Sequence, residues 1–497
     1  MNWNELNLDA LIQWAEGLFV YQANSPLMIG SLTFALLFIV FLFIYTILRH
    51  FSRTAMMVYV IAFSLFFAYK ANGMLMWLLP LTALFNYSLT QEMRSREGHY
   101  RKALLTVVVV ADLALLGYFK YTNFFVGDVL NRMLHSNFSL QSIALPVGIS
   151  FYTFQAISYA VDVYRRKFNM DVTLLEYCFY LTFFPLLMAG PITRASNLLP
   201  RLRRNQQASS RMIWVGLWLV MLGLIKKNML SDYIGQFNNW VFDAPQTFSG
   251  FENVAALLGY PVQIFLDFSG YSDMSIGVAA MMGFWLPDNF YFPYRSLNLT
   301  DFWRRWHISL STWFRDYVYI PLGGNRKGRW RMYLNNFLTM LVAGLWHGAS
   351  WMFVIWGGLH GLGLVVHKFF SRQLNLSVPS THLGNFVSWL LTYVYVCFAW
   401  SFFRAKDMNV LADLYSKIAT DFSIDYFVPF LNARLVWSLC VVGVMLSYLM
   451  PERVYNRMQL RFITLPWIVK FLLFVVCLQM VVEVSQESVQ PFIYYQF

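Results

Sequence analysis

Two histidines stand out among the eight in the chain. His347 lies in LVAGLWHGASWMFVIWGGLHG, inside an apolar run and flanked by Trp346 and Gly348. A polar group at that depth is a functional candidate, because burying it without a partner costs free energy. A neutral imidazole there can take a proton from a hydroxyl near neutral pH, which is general-base chemistry. The competing explanation is a histidine that bonds a neighbouring helix and only packs. His307 lies in NLTDFWRRWHISLSTWFRDYVYIPLGGNRKGRW, where Trp303, Arg304, Arg305, Trp306, Trp313, Arg315 and Asp316 crowd around it. Tryptophan and arginine together suit a membrane interface, the rings anchoring and the guanidinium groups reaching phosphates. They equally suit a cavity wall in which His307 binds or polarises a substrate. Just beyond, Gly323-Gly324 and the basic run Arg326–Arg331, with Lys327 in it, offer a seat for the phosphates of a cytoplasmic donor. A positive anchor on a cytoplasmic loop explains the same charges.

Other chemistries fail simple searches. No histidine is followed by Asp at the fifth position, and no G-x-S-x-G elbow, Walker A sequence or H-E-x-x-H occurs. His360, in GGLHGLG, has small neighbours that suit close helix packing. His50, His99, His135 and His382 fall in loops or at segment ends, and His367 stands beside Lys368. Asp267 and Asp273 interrupt the apolar stretch LDFSGYSDMSIG, where they line a polar pocket or cap a helix break. Cys178, Cys397, Cys440 and Cys477 are scattered through apolar runs, so neither a metal site nor a disulfide framework is expected. No bound cofactor is implied.

The elements that must position these residues are membrane helices. Hydrophobic residues make up 58% of the chain and charged ones 12%, more apolar surface than a water-facing shell can hide. IGSLTFALLFIVFLFIYTIL (29–48) is long enough to cross a hydrocarbon core, which takes about 20 residues in a helix. A membrane β-barrel would show short alternating strands instead. The first segment follows an acidic tail without the basic start of a signal peptide, which reads as a retained helix.

Seven basic patches hold 27 of the 37 Lys and Arg residues, and the loops between them are acidic or nearly neutral. The patches are Arg49/Arg53, Arg94–Lys102, Arg165–Lys167, Arg194–Arg211, Arg295–Arg331, Lys368/Arg372 and Arg453–Arg461. Placing all seven in the cytoplasm predicts an all-α polytopic protein with about twelve crossings. These fall near 30–48, 55–70, 74–89, 103–119, 142–163, 212–230, 253–283, 333–350, 352–367, 384–403, 434–450 and 463–482. Both termini then lie outside. Segments 173–192 and 300–325 start and finish on the basic side and are expected to be re-entrant or interfacial, lining a cavity. Basic loops account for the net charge of +12, so no nucleic-acid partner is expected. The division is a tail (1–28), one membrane domain (29–462), and a final helix with an outward aromatic tail (463–497).

The stretch DFSGYSDMSIGVAAMMGFWLPDNFYFPYRSLNLTDFWRRWHISLSTWFRDYVYIPLGGNR, followed by LWHGASWMFVIWGGLHG, resembles the bacterial membrane-bound O-acyltransferases. The resemblance is greatest to those of alginate and peptidoglycan O-acetylation and of teichoic-acid D-alanylation. LPVGISFYTFQAISYAVDVYRR (145–166) and FFPLLMAGPITRASNLLP (183–200) fit too, so the motifs run from about residue 140 to 370. The resemblance implies a ring of helices around a funnel in the cytoplasmic membrane of a bacterium. It makes His347 the catalytic histidine and His307 the second characteristic one, positioning substrate or stabilising an oxyanion. Arg304, Arg305, Arg315, Arg326, Lys327 and Trp346 are candidates for holding the donor.

The donor implied is a thioester, acyl-CoA (acetyl-CoA) or an acyl carrier, and the acceptor an extracytoplasmic polysaccharide. The closing residues QPFIYYQF resemble the aromatic end of a small partner of the D-alanylation system, which makes Tyr494 an acyl relay. Twelve extended residues after Val482 would span ~40 Å, enough to reach mid-membrane; an interfacial aromatic anchor is the plainer explanation. An SGNH-hydrolase-type partner outside the membrane is implied by the resemblance alone, and membrane lipid surrounds the whole. Two other classes remain. A lipid-linked glycan carrier or flippase would tolerate His347→Ala, and a non-catalytic scaffold would not label itself with radioactive acetyl-CoA.

Overall fold

The structure, a computed structural model, describes residues 17–22, 26–133, 135–205, 207–372 and 381–484, and every regular element among them is helical. The chain groups into two compact units, Met1–Gln207 and Ala208–Phe497.

The first unit contains α1 (Leu32–Phe51), α2 (Arg53–Asn72), α3 (Leu78–Ser95), α4 (Gly98–Phe124), α5 (Ile149–Tyr164), α6 (Leu174–Thr182) and α7 (Ala195–Arg204). One serine makes the α1–α2 turn. Ser52 is extended, its N–H closes α1 on Leu48 O, and its hydroxyl accepts from Ala55 N to open α2. Segment 173–192 is broken, as its prolines and glycine predict. It runs as α6, a short helical turn Phe184–Leu187, and an irregular stretch buried almost throughout. Phe184 plugs the break, with Phe41 and Phe63 at 5.3 and 5.0 Å between ring centroids, while Ser64 Oγ accepts from its backbone N–H. At the start of α6, Glu176 completes a capping box with Thr173. Its carboxylate also takes hydrogen bonds from Arg53 and from Arg203 Nε and Nη2, the last two at 2.9 and 2.7 Å. Burial pushes this carboxyl up, but the Arg203, Thr173 and Arg53 hydrogen bonds outweigh it and hold it down to about 2.

The second unit contains α8 (Ser210–Leu224), α9 (Asp232–Asp243), α10 (Gly250–Met281), α11 (Leu299–Arg305), α12 (Ile308–Phe314), α13 (Arg329–His347), α14 (Trp351–Arg372), α15 (His382–Arg404), α16 (Met408–Thr420), α17 (Phe427–Ser447), α18 (Glu452–Thr464) and α19 (Trp467–Val484). The 32-residue α10 packs against α8, α9, α15, α16 and α17. It approaches α8 through two facing glycine pairs. A Cβ on Gly216 would stand 2.6 Å from Gly277 O, and one on Gly223 2.5 Å from Gly270 O. Small residues let membrane helices come this close. Asp267 and Asp273 neither cap a break nor stand alone. They pair with Lys227 and Lys226, both at 2.7 Å, on a π-helical turn (Ile225–Ser231) that brings two successive lysines to bear on α10.

Among the described residues, eight helical stretches are long and apolar enough to cross a membrane, against the twelve crossings expected. The difference has a physical source. Residues 55–70 and 74–89 form one continuous stretch, Arg53–Ser95. Segments 142–163, 253–283 and 333–350 become α5, α10 and α13, which bury polar side chains such as Gln155, Gln263, Asp267, Asn335 and Thr339 inside the protein. Those residues lower hydropathy without facing lipid.

Candidate active site

The chain on either side of His307 is pinned by the segment that follows α10. Tyr291 N–H donates to Arg305 O and Ile308 N–H to Asn289 O, both at 2.9 Å, and between them α11 ends and α12 begins. His307 occupies the corner in the left-handed region (φ 43°), a conformation that costs a non-glycine residue about 1–3 kcal/mol and persists only where neighbours enforce it. The turn drives the imidazole inward to complete burial. Phe268 of α10 meets it edge-on, 4.5 Å between centroids, and Phe290 lies nearly parallel at 6.3 Å. Phe268, Ser272 and Ser275 are spaced i, i+4, i+7 on one stripe of α10. Both serine hydroxyls are buried and have no hydrogen-bond partner among the described residues.

His347 is placed by a glycine-mediated hairpin. It is the last residue of α13, and the following Gly348 turns out of the helix in an extended conformation. One turn earlier, Gly344 faces Gly357 of α14 so closely that a Cβ on either would stand 3.0–3.1 Å from the other's Cα. The imidazole is buried among Trp346, Trp356 and Phe403, at centroid distances of 4.9, 4.9 and 5.3 Å, all T-shaped. Trp346 also lies 6.3 Å from the His307 ring, so one indole neighbours both histidines. The two catalytic candidates and Trp346 therefore share one aromatic chamber.

His360 belongs to the wall of that chamber. Its Nδ1 accepts from Trp303 Nε1 at 3.3 Å, and its ring stands 4.8 Å from Trp356, which touches His347 on its other side. Trp303 and Trp306 face inward as well, Trp306 packing on Trp400 at 5.0 Å. These two tryptophans thus pack into the interior of the unit and not outward at an interface. His367 bonds Thr300 at 3.0 Å.

The basic candidates lie elsewhere. Arg304, Arg315, Arg326 and Lys327 are exposed; Arg305 pairs with Asp301 at 2.9 Å and Arg315 with Asp316 at 2.8 Å. Arg326 and Lys327 ride on a loop in which Gly323, Gly324 and Gly328 all have positive φ. Asn335 of α13 fastens that loop, donating to Gly324 O at 2.9 Å and Leu322 O at 3.3 Å. Beside it opens a pocket of about 270 Å³ lined by Asn325, Gly328, Arg329, Met332 and Tyr333. Helix α13 thus carries the pocket at its first turns and His347 at its last. Tyr494 lies outside the described residues.

Sequence reasoning passed over Asn289, Phe268, Trp356 and Phe403. Asn289 had a signal, a lone amide in the aromatic stretch LPDNFYFPY, whereas the other three are indistinguishable from packing residues until the helices are brought together.

The chain is similar to a peptidoglycan O-acetyltransferase of Helicobacter pylori, 36% identical over 79% of this chain and 78% of that protein. It is similar to a probable alginate O-acetylase AlgI of Pseudomonas putida, 38% identical over 79% of this chain and 84% of that one. A teichoic acid D-alanyltransferase of Bacillus subtilis is 27% identical over 53% of this chain and 69% of its own. The model of the membrane-bound O-acyltransferase family matches residues 103–412, which include His307, Trp346, His347 and the wall around them, and the chain belongs to that family of acyltransferases.

Proposed function

We propose that this acyltransferase O-acylates an extracytoplasmic polysaccharide, with an acetyl group from a cytoplasmic thioester as its first-choice substrate. The observation that carries the reading is His347, buried at the tip of α13 and joined through Trp346 to His307. The relatives named for O-acetylation of peptidoglycan and alginate support acetyl and polysaccharide.

The donor's phosphates rest on the loop 323–331 and the pocket beside it, and its thioester reaches the chamber. His347 removes the proton from the attacking hydroxyl as the oxygen adds to the thioester carbonyl. The carbon–sulfur bond then breaks, and the thiol leaves with the proton that His347 has held. Aromatic walls keep water from competing for the thioester. The hydroxyl is the Tyr494 phenol in this scheme, which passes the acyl group to an SGNH-hydrolase-type partner outside the membrane. That last part rests on the resemblance of the terminal peptide. The termini lie outside and the loop at Arg329 lies inside the bacterial cytoplasmic membrane, which reporter fusions at 231–252 and Arg329 check.

The test is purified protein incubated with radioactive acetyl-CoA, followed by intact-mass measurement of the C-terminal peptide. Wild type gains one acetyl group on that peptide and His347→Ala gains none while remaining folded. Equal labelling of the two proteins would overturn the role given to His347.

A further inference from the structure

The buried partner of His307 fixes which of its nitrogens carries the proton. Asn289 Oδ1 accepts from Ser309 N–H at 3.2 Å and from Ser309 Oγ at 2.8 Å, and it lies 3.0 Å from His307 Nδ1. A backbone N–H can only donate, so the atom facing it is the amide oxygen, with no ambiguity between the two ends of the amide. An amide oxygen can only accept. His307 Nδ1 is therefore the N–H end of the ring, and the neutral imidazole presents a lone pair at Nε2. Nε2 is buried and has no hydrogen-bond partner among the described residues, and the same holds for Asn289 Nδ2. Both side chains are almost completely buried, at 0 and 1% exposure.

Buried polar atoms are rarely left unsatisfied, and a cluster of them marks a place where something polar binds. Here the unsatisfied pair is His307 Nε2 and Asn289 Nδ2, and the stripe of α10 that carries Phe268 adds the buried hydroxyls of Ser272 and Ser275. The main chain of Asn289 also bonds Ile308 N, so this one residue holds both the corner and the ring.

We propose that Asn289 is a positioning residue that locks His307 in the Nδ1–H tautomer, leaving Nε2 as a hydrogen-bond acceptor for an N–H of the thioester donor's arm. The inference rests on the acyl-transfer reading for the identity of the guest, though not for the tautomer. Acyl-CoA and acyl carriers share a pantetheine arm with secondary amides, and an amide N–H is the complement of a fixed lone pair. The assignment also changes what His307 can do. A neutral ring with its lone pair outward cannot donate to an oxyanion, so it orients the donor and leaves oxyanion stabilisation to other groups.

The experiment uses the full-length protein in lipid nanodiscs with 15N-labelled histidine, the His307 signals being assigned by their loss in His307→Gln. Wild type shows a pyrrole-type Nδ1 and a pyridine-type Nε2 at His307, and adding CoA shifts Nε2. Asn289→Ala yields mixed tautomers and raises the donor KM about tenfold, the worth of one neutral hydrogen bond, with a smaller change in kcat. An Nε2–H tautomer in wild type would overturn the proposal without need of any variant. So would an unchanged tautomer in Asn289→Ala, whatever that variant's stability, or an Nε2 signal indifferent to CoA. Loss of the acyl-transfer reading would instead show as a wild type that gains no acetyl group from acetyl-CoA, with its tautomer intact.

Discussion

Replacing Gly344 by alanine should inactivate the protein even though it adds only one methyl group to a helix. Alanine is the better helix former by about 0.5–1 kcal/mol, so local propensity favours the variant. Packing opposes it. The new Cβ would lie 3.0 Å from Gly357 Cα and 3.1 Å from Gly357 N, with the carbonyl oxygen of Phe353 nearer still. Relaxed carbon contacts need about 3.5–4.0 Å. All these neighbours are backbone atoms, so no rotamer change relieves them, and α13 must move away from α14 by ~1 Å. His347 is three residues further along the same helix, while Trp356 on its flank belongs to α14. The separation therefore falls directly on the His347–Trp356 contact. A displacement of about 1 Å at reacting groups costs on the order of 10²-fold in rate, and overpacking of this kind costs about 1–3 kcal/mol of stability.

The assay is acetyl transfer from acetyl-CoA by detergent-solubilised protein, run beside a thermal unfolding curve. Gly443→Ala is the control, since a Cβ there meets nothing within 4 Å and should leave activity unchanged. Gly344→Ala is expected to lose about 10²-fold in kcat/KM while still unfolding cooperatively. Wild-type activity in this variant would refute the claim that the glycine contact sets the position of His347.

Three further outcomes follow from other parts of the molecule. Glu176→Gln should destabilise the first unit by about 1.5–3 kcal/mol, the range for hydrogen bonds to a charged group, measured by thermal unfolding. Because the folded-state carboxyl is held at about 2, below its ordinary 4.5, that contribution is complete above pH 4.5 and fades as pH falls toward 2; the gap between wild type and variant should close over that range. Asn335→Leu frees the glycine-rich loop from α13 and should weaken CoA binding about tenfold by calorimetry, with His347 chemistry at saturating donor largely kept. Tyr494→Phe should remove the acetyl group from the C-terminal peptide, whereas Tyr495→Phe should retain it, as read by mass.

How far the sequence carries depends on the range of the interaction. The break at 173–192 was legible because proline and glycine act locally, and His347 because a lone imidazole in an apolar run is costly wherever it sits. The tryptophans of 298–330 were ambiguous, since a ring buried in lipid headgroups and one buried against Trp400 have the same composition. The positive-inside count treated Arg53 and Arg203 as loop charges, yet both are bound to Glu176, residues 123 and 27 positions away in the chain. Such pairs are invisible to a loop-by-loop count. The same limit applies to α5, α10 and α13: apolar length says that they are helices, but only their neighbours say that their polar side chains face protein.

The indole that neighbours both histidines bears on how the chamber divides its work. Tryptophan has a hydrogen-bond donor and no acceptor, so it cannot pass a proton from one imidazole to the other. Its ring lies 4.9 Å from His347 and 6.3 Å from His307, so it packs near both. A proton relay through Trp346 is thus disfavoured. The proposed division gives the two rings separate substrates, His347 the hydroxyl that must lose a proton and His307 the donor that must be held still. On that division, losing His347 should abolish the chemical step, while losing the Nε2 acceptor of His307 should first weaken the hold on the donor. The same arrangement explains why the chamber is aromatic. With a thioester as the donor, as proposed, rings would exclude water from it while offering no competing nucleophile.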